Sequence, residues 1–152
     1  MKRGKFSKEF PQNLRSHEFL RLAHSFYEAY LNCIELMPPN PPKYFLGCHA
    51  VELALKSYLL SVGVPIEAIV NTREYGHDIG KLLDDALNKK LILSQADIDH
   101  IRRLNEVHSQ FWNRYPIEWG VPIYIVDQND SAIAHLLKAV DPYQRYEALK
   151  CN

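Results

Sequence analysis

The stretch Leu46-Gly47-Cys48-His49-Ala50-Val51-Glu52-Leu53-Ala54-Leu55-Lys56-Ser57-Tyr58-Leu59-Leu60 decides the fold. Its apolar residues point to nearly every side of a helix, and a helix that is apolar all round is enclosed by its neighbours. The spacing predicts a helix over residues 43–62, stopped by Gly63. One stripe breaks the pattern. His49, Glu52 and Lys56 follow one another at steps of three and four, which places them on a single face. Glu52 precedes Lys56 by four residues, the favourable order for an ion pair. Charged groups on an otherwise enclosed helix need partners, because unpaired buried charge is costly.

Upstream, Phe19, Leu22, Ala23, Phe26, Tyr30 and Cys33 recur at helical spacing. They predict a first helix over residues 16–36, with Ser16 as N-cap and Glu18 in its first turn. Residues 1–12 read as a loose arm. The run Met37-Pro38-Pro39-Asn40-Pro41-Pro42 ends the first helix, since proline cannot continue one. Downstream, Gly63-Val64-Pro65 opens a loop with a short turn at 66–70. Asp78 is a candidate N-cap for a helix over 79–90, whose buried face is Leu82, Leu83, Ala86 and Leu87. Ser94-Gln95-Ala96-Asp97 resembles a capping box with Asp in the usual Glu place. It opens a helix over 95–113 with an inner stripe of Ile98, Ile101, Leu104, Asn105, His108, Phe111 and Trp112. Tyr115-Pro116 closes that helix. Residues 117–128, containing Val121-Pro122-Ile123-Tyr124-Ile125-Val126, read as an extended arm or small hairpin. Asn129-Asp130-Ser131 is expected to cap a last helix over 132–149, bent at Asp141-Pro142. The expected fold is all-α: an up-and-down bundle of four main helices plus a terminal one, forming one domain over residues 13–152.

Composition excludes several classes. The 152 residues are 47% hydrophobic, enough to bury a core, so the chain is not a disordered tail. Lys+Arg 18 against Asp+Glu 18 gives a net charge of 0. That argues against a generic nucleic-acid coat and leaves room for a local basic patch. Cys33, Cys48 and Cys151 are widely spaced, with no Cys-x-x-Cys, so neither a disulfide framework nor a cysteine zinc site is expected. The N-terminal charges have no apolar run behind them, and no stretch approaches the roughly 20 apolar residues of a membrane span. The expectation is a soluble, reduced, cytoplasmic protein with no membrane contact. Seven histidines are scattered over the chain. The pair of Glu-x-x-His motifs on facing helices that builds bundle metal sites does not occur, so no metal and no cofactor are assigned.

Three segments together resemble the HEPN superfamily, the small helical domains named for nucleotide binding in higher eukaryotes and prokaryotes. Cys48 to Leu60 is similar to the family's second helix, with a Glu and a Lys four apart on an apolar background. Gly76-His77-Asp78-Ile79, followed by Leu82-Leu83, is similar to its Gly-His-Asp-Leu entry to the third helix. Leu104-Asn105, with Asn113-Arg114-Tyr115-Pro116 behind it, resembles its fourth helix and Arg-Tyr-Pro end. The resemblance spans residues 16–116. It implies one of two kinds of protein. Many members are metal-independent RNases, carrying an Arg and then, after four to six residues, a His, in a site shared across a homodimer. Others keep the fold and bind nucleotides, or pair with a nucleotidyltransferase, as in toxin–antitoxin couples.

The chain contains Arg103-Leu104-Asn105-Glu106-Val107-His108, or Arg102 with five residues between. Arg103 and His108 are therefore candidate catalytic residues. His108 would move a ribose 2′-hydroxyl or leaving-group proton, for which an unperturbed pKa of about 6.5 is suitable. Arg103 or Arg102 would hold the phosphate. The competing reading is a histidine hydrogen-bonded inside the bundle and arginines on a solvated face. Five helical positions turn by roughly 140°, so Arg103 and His108 do not share a face of one regular helix. A joint site needs an irregularity or a second subunit. Glu52, Lys56, Arg102, Asn105 and Arg114 are candidate ligand-binding residues. For Glu52 and Lys56 the structural alternative is an ion pair worth about 0.3–0.5 kcal/mol. Three functions follow: a nucleotide-, RNA- or partner-binding HEPN-like domain that is not catalytic alone; a metal-independent RNase; and a dimeric interaction module without ligand.

Overall fold

A computed structural model describes residues 12–34, 41–109 and 129–149. They form six helices and, among the described residues, no strand: α1 (Gln12–Asn32), α2 (Pro41–Ser61), α3 (Ile66–Val70), α4 (Ile79–Asn88), α5 (Gln95–Ser109) and α6 (Asn129–Leu149). The α2 helix packs against all five others, as its all-round apolar pattern requires. Every residue from Ala50 to Leu60 is buried, polar ones included. Around it, Leu20, Ala23 and Tyr30 of α1, Leu82 and Leu83 of α4, Ile101 and Leu104 of α5, and Ile133 and Leu136 of α6 complete one core. No described helix is long and apolar enough to cross a membrane.

Three expected boundaries are corrected. The α1 helix already includes Gln12, so Ser16 lies inside it rather than capping it. Ser16 is fully buried, and its carbonyl accepts a 2.7 Å hydrogen bond from the Ser57 hydroxyl of α2. A serine that faces a partner helix is no longer a cap signal, because its local competition with the backbone is overridden by packing. The helix also stops at Asn32, short of residue 36. Leu20 is the buried leucine of its inner face, whereas Leu22 is exposed. Pro41 and Pro42 do not merely end a helix. They begin α2, where a missing N–H has no intrahelical partner to lose.

The other ends follow their local chemistry. At the end of α2, Gly63 at φ +97° lets its N–H donate to Leu60 and the Val64 N–H donate to Leu59. This is the paired closure of a left-handed helix cap. The same closure ends α4, with Lys90 at φ 77° in the glycine position, Lys90 N–H to Leu87 and Leu91 N–H to Ala86. Asp78 caps α4 by accepting from the Lys81 N–H at 3.0 Å. Ser94 caps α5 as expected: the Asp97 N–H donates to Ser94 Oγ at 3.2 Å, and the Ser94 hydroxyl, in place of the backbone N–H of a full capping box, donates to the Asp97 carboxylate at 2.6 Å. At the last helix a further expectation is corrected. Residues 129–131 belong to α6 itself, which runs on through Asp141 and Pro142. Gln12, expected in an arm over 1–12, belongs to α1; the rest of that arm, the arm over 117–128, and Phe111, Trp112 and Arg114 lie outside the described residues.

Candidate functional site

The Glu52–Lys56 part of the polar stripe of α2 has nowhere to meet solvent, so it must be satisfied from within. Glu52 is 1% exposed and Lys56 7%. The Lys56 ammonium donates to Glu52 Oε1 at 2.6 Å and to the Gly76 carbonyl at 2.8 Å, which fastens the loop before α4 onto α2. That loop delivers His77. Its Nδ1 lies 3.0 and 3.1 Å from the two oxygens of Glu52, while more than half of its side chain faces solvent. His49, one turn before Glu52 on α2, approaches Oε2 at 3.8 Å and is held between the edge of Phe26 and the face of Phe45. From α5, His108 Nε2 approaches Oε2 at 3.7 Å. These last two distances are electrostatic approaches rather than hydrogen bonds. One carboxylate thus gathers an ammonium and three imidazoles from three elements.

Burial by itself would push the Glu52 carboxyl up. His108, His49 and Lys56 outweigh it and hold the group well below the ordinary carboxylate range. Glu52 is therefore ionised and can only accept, so His77 Nδ1 carries a proton and donates it. The tautomer leaves His77 Nε2 without a partner among the described residues. Cys48, one turn before Glu52 on α2, has the opposite fate. Its thiol is pushed up to about 12 by full burial and by the Glu52 charge. It is inert packing rather than a nucleophile.

The candidate ligand residues Glu52 and Lys56 are brought together, and His108 of α5 joins them at Glu52. Asn105 packs against the start of α4, where Gly80 is bare: a Cβ there would lie 2.8 Å from Asn105 Nδ2. Among the described residues, Asn105 Oδ1 and both ring nitrogens of His108 are buried without a hydrogen-bond partner. Arg102 and Arg103 are not part of this cluster. Arg102 is exposed and pairs with Asp84 at 3.0 Å, and Arg103 is exposed with its Nε donating to the Asp99 carbonyl at 3.3 Å. Within one chain the Arg103–His108 pair is therefore split between the surface and the interior, as the helical turn angle demands. Arg114 lies outside the described residues.

The sequence gives His77 no partner beyond its place in the helix entry Gly76-His77-Asp78-Ile79, and its bond to Glu52 spans 25 positions. Sequence reasoning missed that bond and also a second pair, in which His135 Nδ1 of α6 lies 3.0 Å from Asp97 Oδ1. The only prior signal was indirect, an enclosed carboxylate that required partners. Among the described residues, no group of three or more His, Cys, Asp or Glu is arranged to hold a metal ion. The Lys56 ammonium already sits on the oxygen a cation would approach. Comparison with family models, with curated proteins and with solved structures gives no match.

Proposed function

We propose that this chain is a HEPN-like domain that binds a phosphate-bearing ligand, nucleotide or RNA, or a nucleotidyltransferase partner, and that it is not catalytic alone. One observation carries the reading. Residues from two of the segments behind the resemblance, and His108 from the helix that carries part of the third, gather at the Glu52 carboxylate: His49 and Lys56 from α2, His77 from the loop before α4, with Gly76 tied in through Lys56, and His108 from α5. A bundle does not need this for stability, since a buried ion pair gives little net gain over apolar packing. Basic groups gathered on a carboxylate with a strongly shifted pKa are the usual mark of a working site. The separation of Arg103 from His108 supports the absence of catalysis by a single chain.

A metal-independent RNase is the second reading. It is favoured by the unsatisfied imidazole of His108, a buried group without a hydrogen bond that calls for an explanation. It requires a homodimer in which another subunit brings its arginine to His108. The test is RNA cleavage in EDTA by the parent and by His108→Ala, beside calorimetric titration with nucleotides and RNA. Binding without cleavage is the expected result. Cleavage lost in a folded His108→Ala protein would replace the first reading with the second. Neither binding nor cleavage, with no nucleotidyltransferase partner captured, would leave the dimeric interaction module.

A further inference from the structure

The loop entering α4 presents an imidazole arranged for group transfer. We propose that His77 is a nucleophilic histidine that takes a phosphoryl group on Nε2 from a small acyl phosphate. The inference goes beyond ligand binding and does not depend on it.

The geometry supplies what such a nucleophile needs. The buried carboxylate of Glu52 fixes the proton on Nδ1, so the Nε2 lone pair is left on a ring whose side chain is 55% exposed. In the reaction that lone pair attacks phosphorus and an N–P bond forms. The P–O bond to the acyl group breaks, and the carboxylate leaves with its electron pair. The Nδ1 proton stays between the ring and Glu52. The ring becomes cationic, and the carboxylate on its far nitrogen balances the charge, as an orienting carboxylate does for a catalytic imidazolium.

One further observation singles out His77. It stands immediately before Asp78, the N-cap of the ten-residue α4, where the positive end of a helix favours an added anion. Two other histidines with an engaged Nδ1 each lack something. His135 is held by Asp97 in a similar way but lies in the body of α6, away from a helix start. His100 donates its Nδ1 proton to the neutral Ala96 carbonyl at 2.7 Å.

The test treats the full chain with acetyl phosphate and locates the product by ³¹P NMR and peptide mass mapping. One acid-labile phosphoryl group on His77 is expected. His77→Asn should carry none, His135→Asn should be labelled like the parent, and Glu52→Gln should react at least about tenfold more slowly. Should Glu52→Gln fail to fold, diethyl pyrocarbonate on the unaltered protein provides the second measurement, with His77 expected to react ahead of His24, His100 and His135. Labelling of His24 or His135 as fast as His77, or no label on His77, overturns the proposal.

Discussion

Glu52 holds His77 and Asp97 holds His135 in nearly the same way. In each pair the Nδ1–H of a largely exposed ring faces both oxygens of an enclosed carboxylate, at 3.0 and 3.1 Å in the first and 3.0 and 3.2 Å in the second. Their settings differ. Asp97 sits in the first turn of α5 and is already engaged by Ser94, its capping partner. Its carboxyl, raised by burial, is lowered overall by Ser94 and His135. The bond to His135 adds a fastener between α5 and α6. Glu52 sits mid-helix on the central element, where no cap needs it. It faces Lys56 and three imidazoles instead. The same local bond is a structural pin in one place and the hub of a polar site in the other. What surrounds the carboxylate makes the difference.

The sharpest way to break this contrast is to remove each carboxylate. Glu52→Ala leaves the Lys56 ammonium buried and unpaired, and should destabilise the fold by about 3–5 kcal/mol. Asp97→Ala loses a capping contact and should cost about 1–2 kcal/mol. Urea midpoints at unchanged slope read both, and equal losses would mean that Glu52 is only another fastener. Next in size is Gly80→Ala, whose new Cβ would meet the Asn105 amide and should cost about 1–3 kcal/mol. In an Asn105→Ala background most of that cost should disappear. A double-mutant cycle showing no coupling would place the strain elsewhere.

The pH dependence separates the two regions further. Both carboxyls are depressed in the folded state, so each contributes stability above its unfolded value, 4.5 for Glu52 and 3.8 for Asp97. The contribution is lost as pH falls through the lower folded value. Glu52→Gln should therefore flatten the acid limb of the stability curve more than Asp97→Asn does. The alkaline limb belongs to a third place. Tyr75 donates its phenol proton to Asp85, and burial together with that bond pushes its pKa from 10.0 up to about 12. Its contribution is complete below pH 10 and declines from there to about 12, so Tyr75→Phe should remove that decline in a pH series of unfolding curves. The smallest expected change is remote from both pairs. Lys90→Gly relieves a left-handed backbone at φ 77° and should raise stability by about 0.5–1 kcal/mol. A loss there would mean that the lysine side chain has a contact of its own to give up.

Much of the site was legible in part. The step of three and four from His49 to Lys56 announced a polar face on an enclosed helix. Asp78 and the Ser94–Asp97 box announced two helix starts, because a cap acts through backbone only two or three residues away. Ser16 misled for the same reason: its side-chain type suggests a cap wherever it stands, and only the neighbouring Ser57 reveals that it faces inward. His77 had no local signal. Its partner is 25 positions upstream, and a histidine beside a capping aspartate looks the same whether or not a carboxylate lies behind it.

Periodicity and chain chemistry by themselves determined that this protein is all-α, that α2 is its centre, where α4 and α5 begin, and that Arg103 and His108 turn away from each other. These follow from interactions within a few residues or from the fixed pitch of a helix. Only the tertiary structure decided which groups meet at Glu52, that Lys56 ties down the Gly76 loop, that Asn105 needs a bare Gly80, and that two distant histidines each take a carboxylate. Those contacts depend on how whole helices pack, and a hydrogen bond acts over about 3 Å of space whatever the separation along the chain.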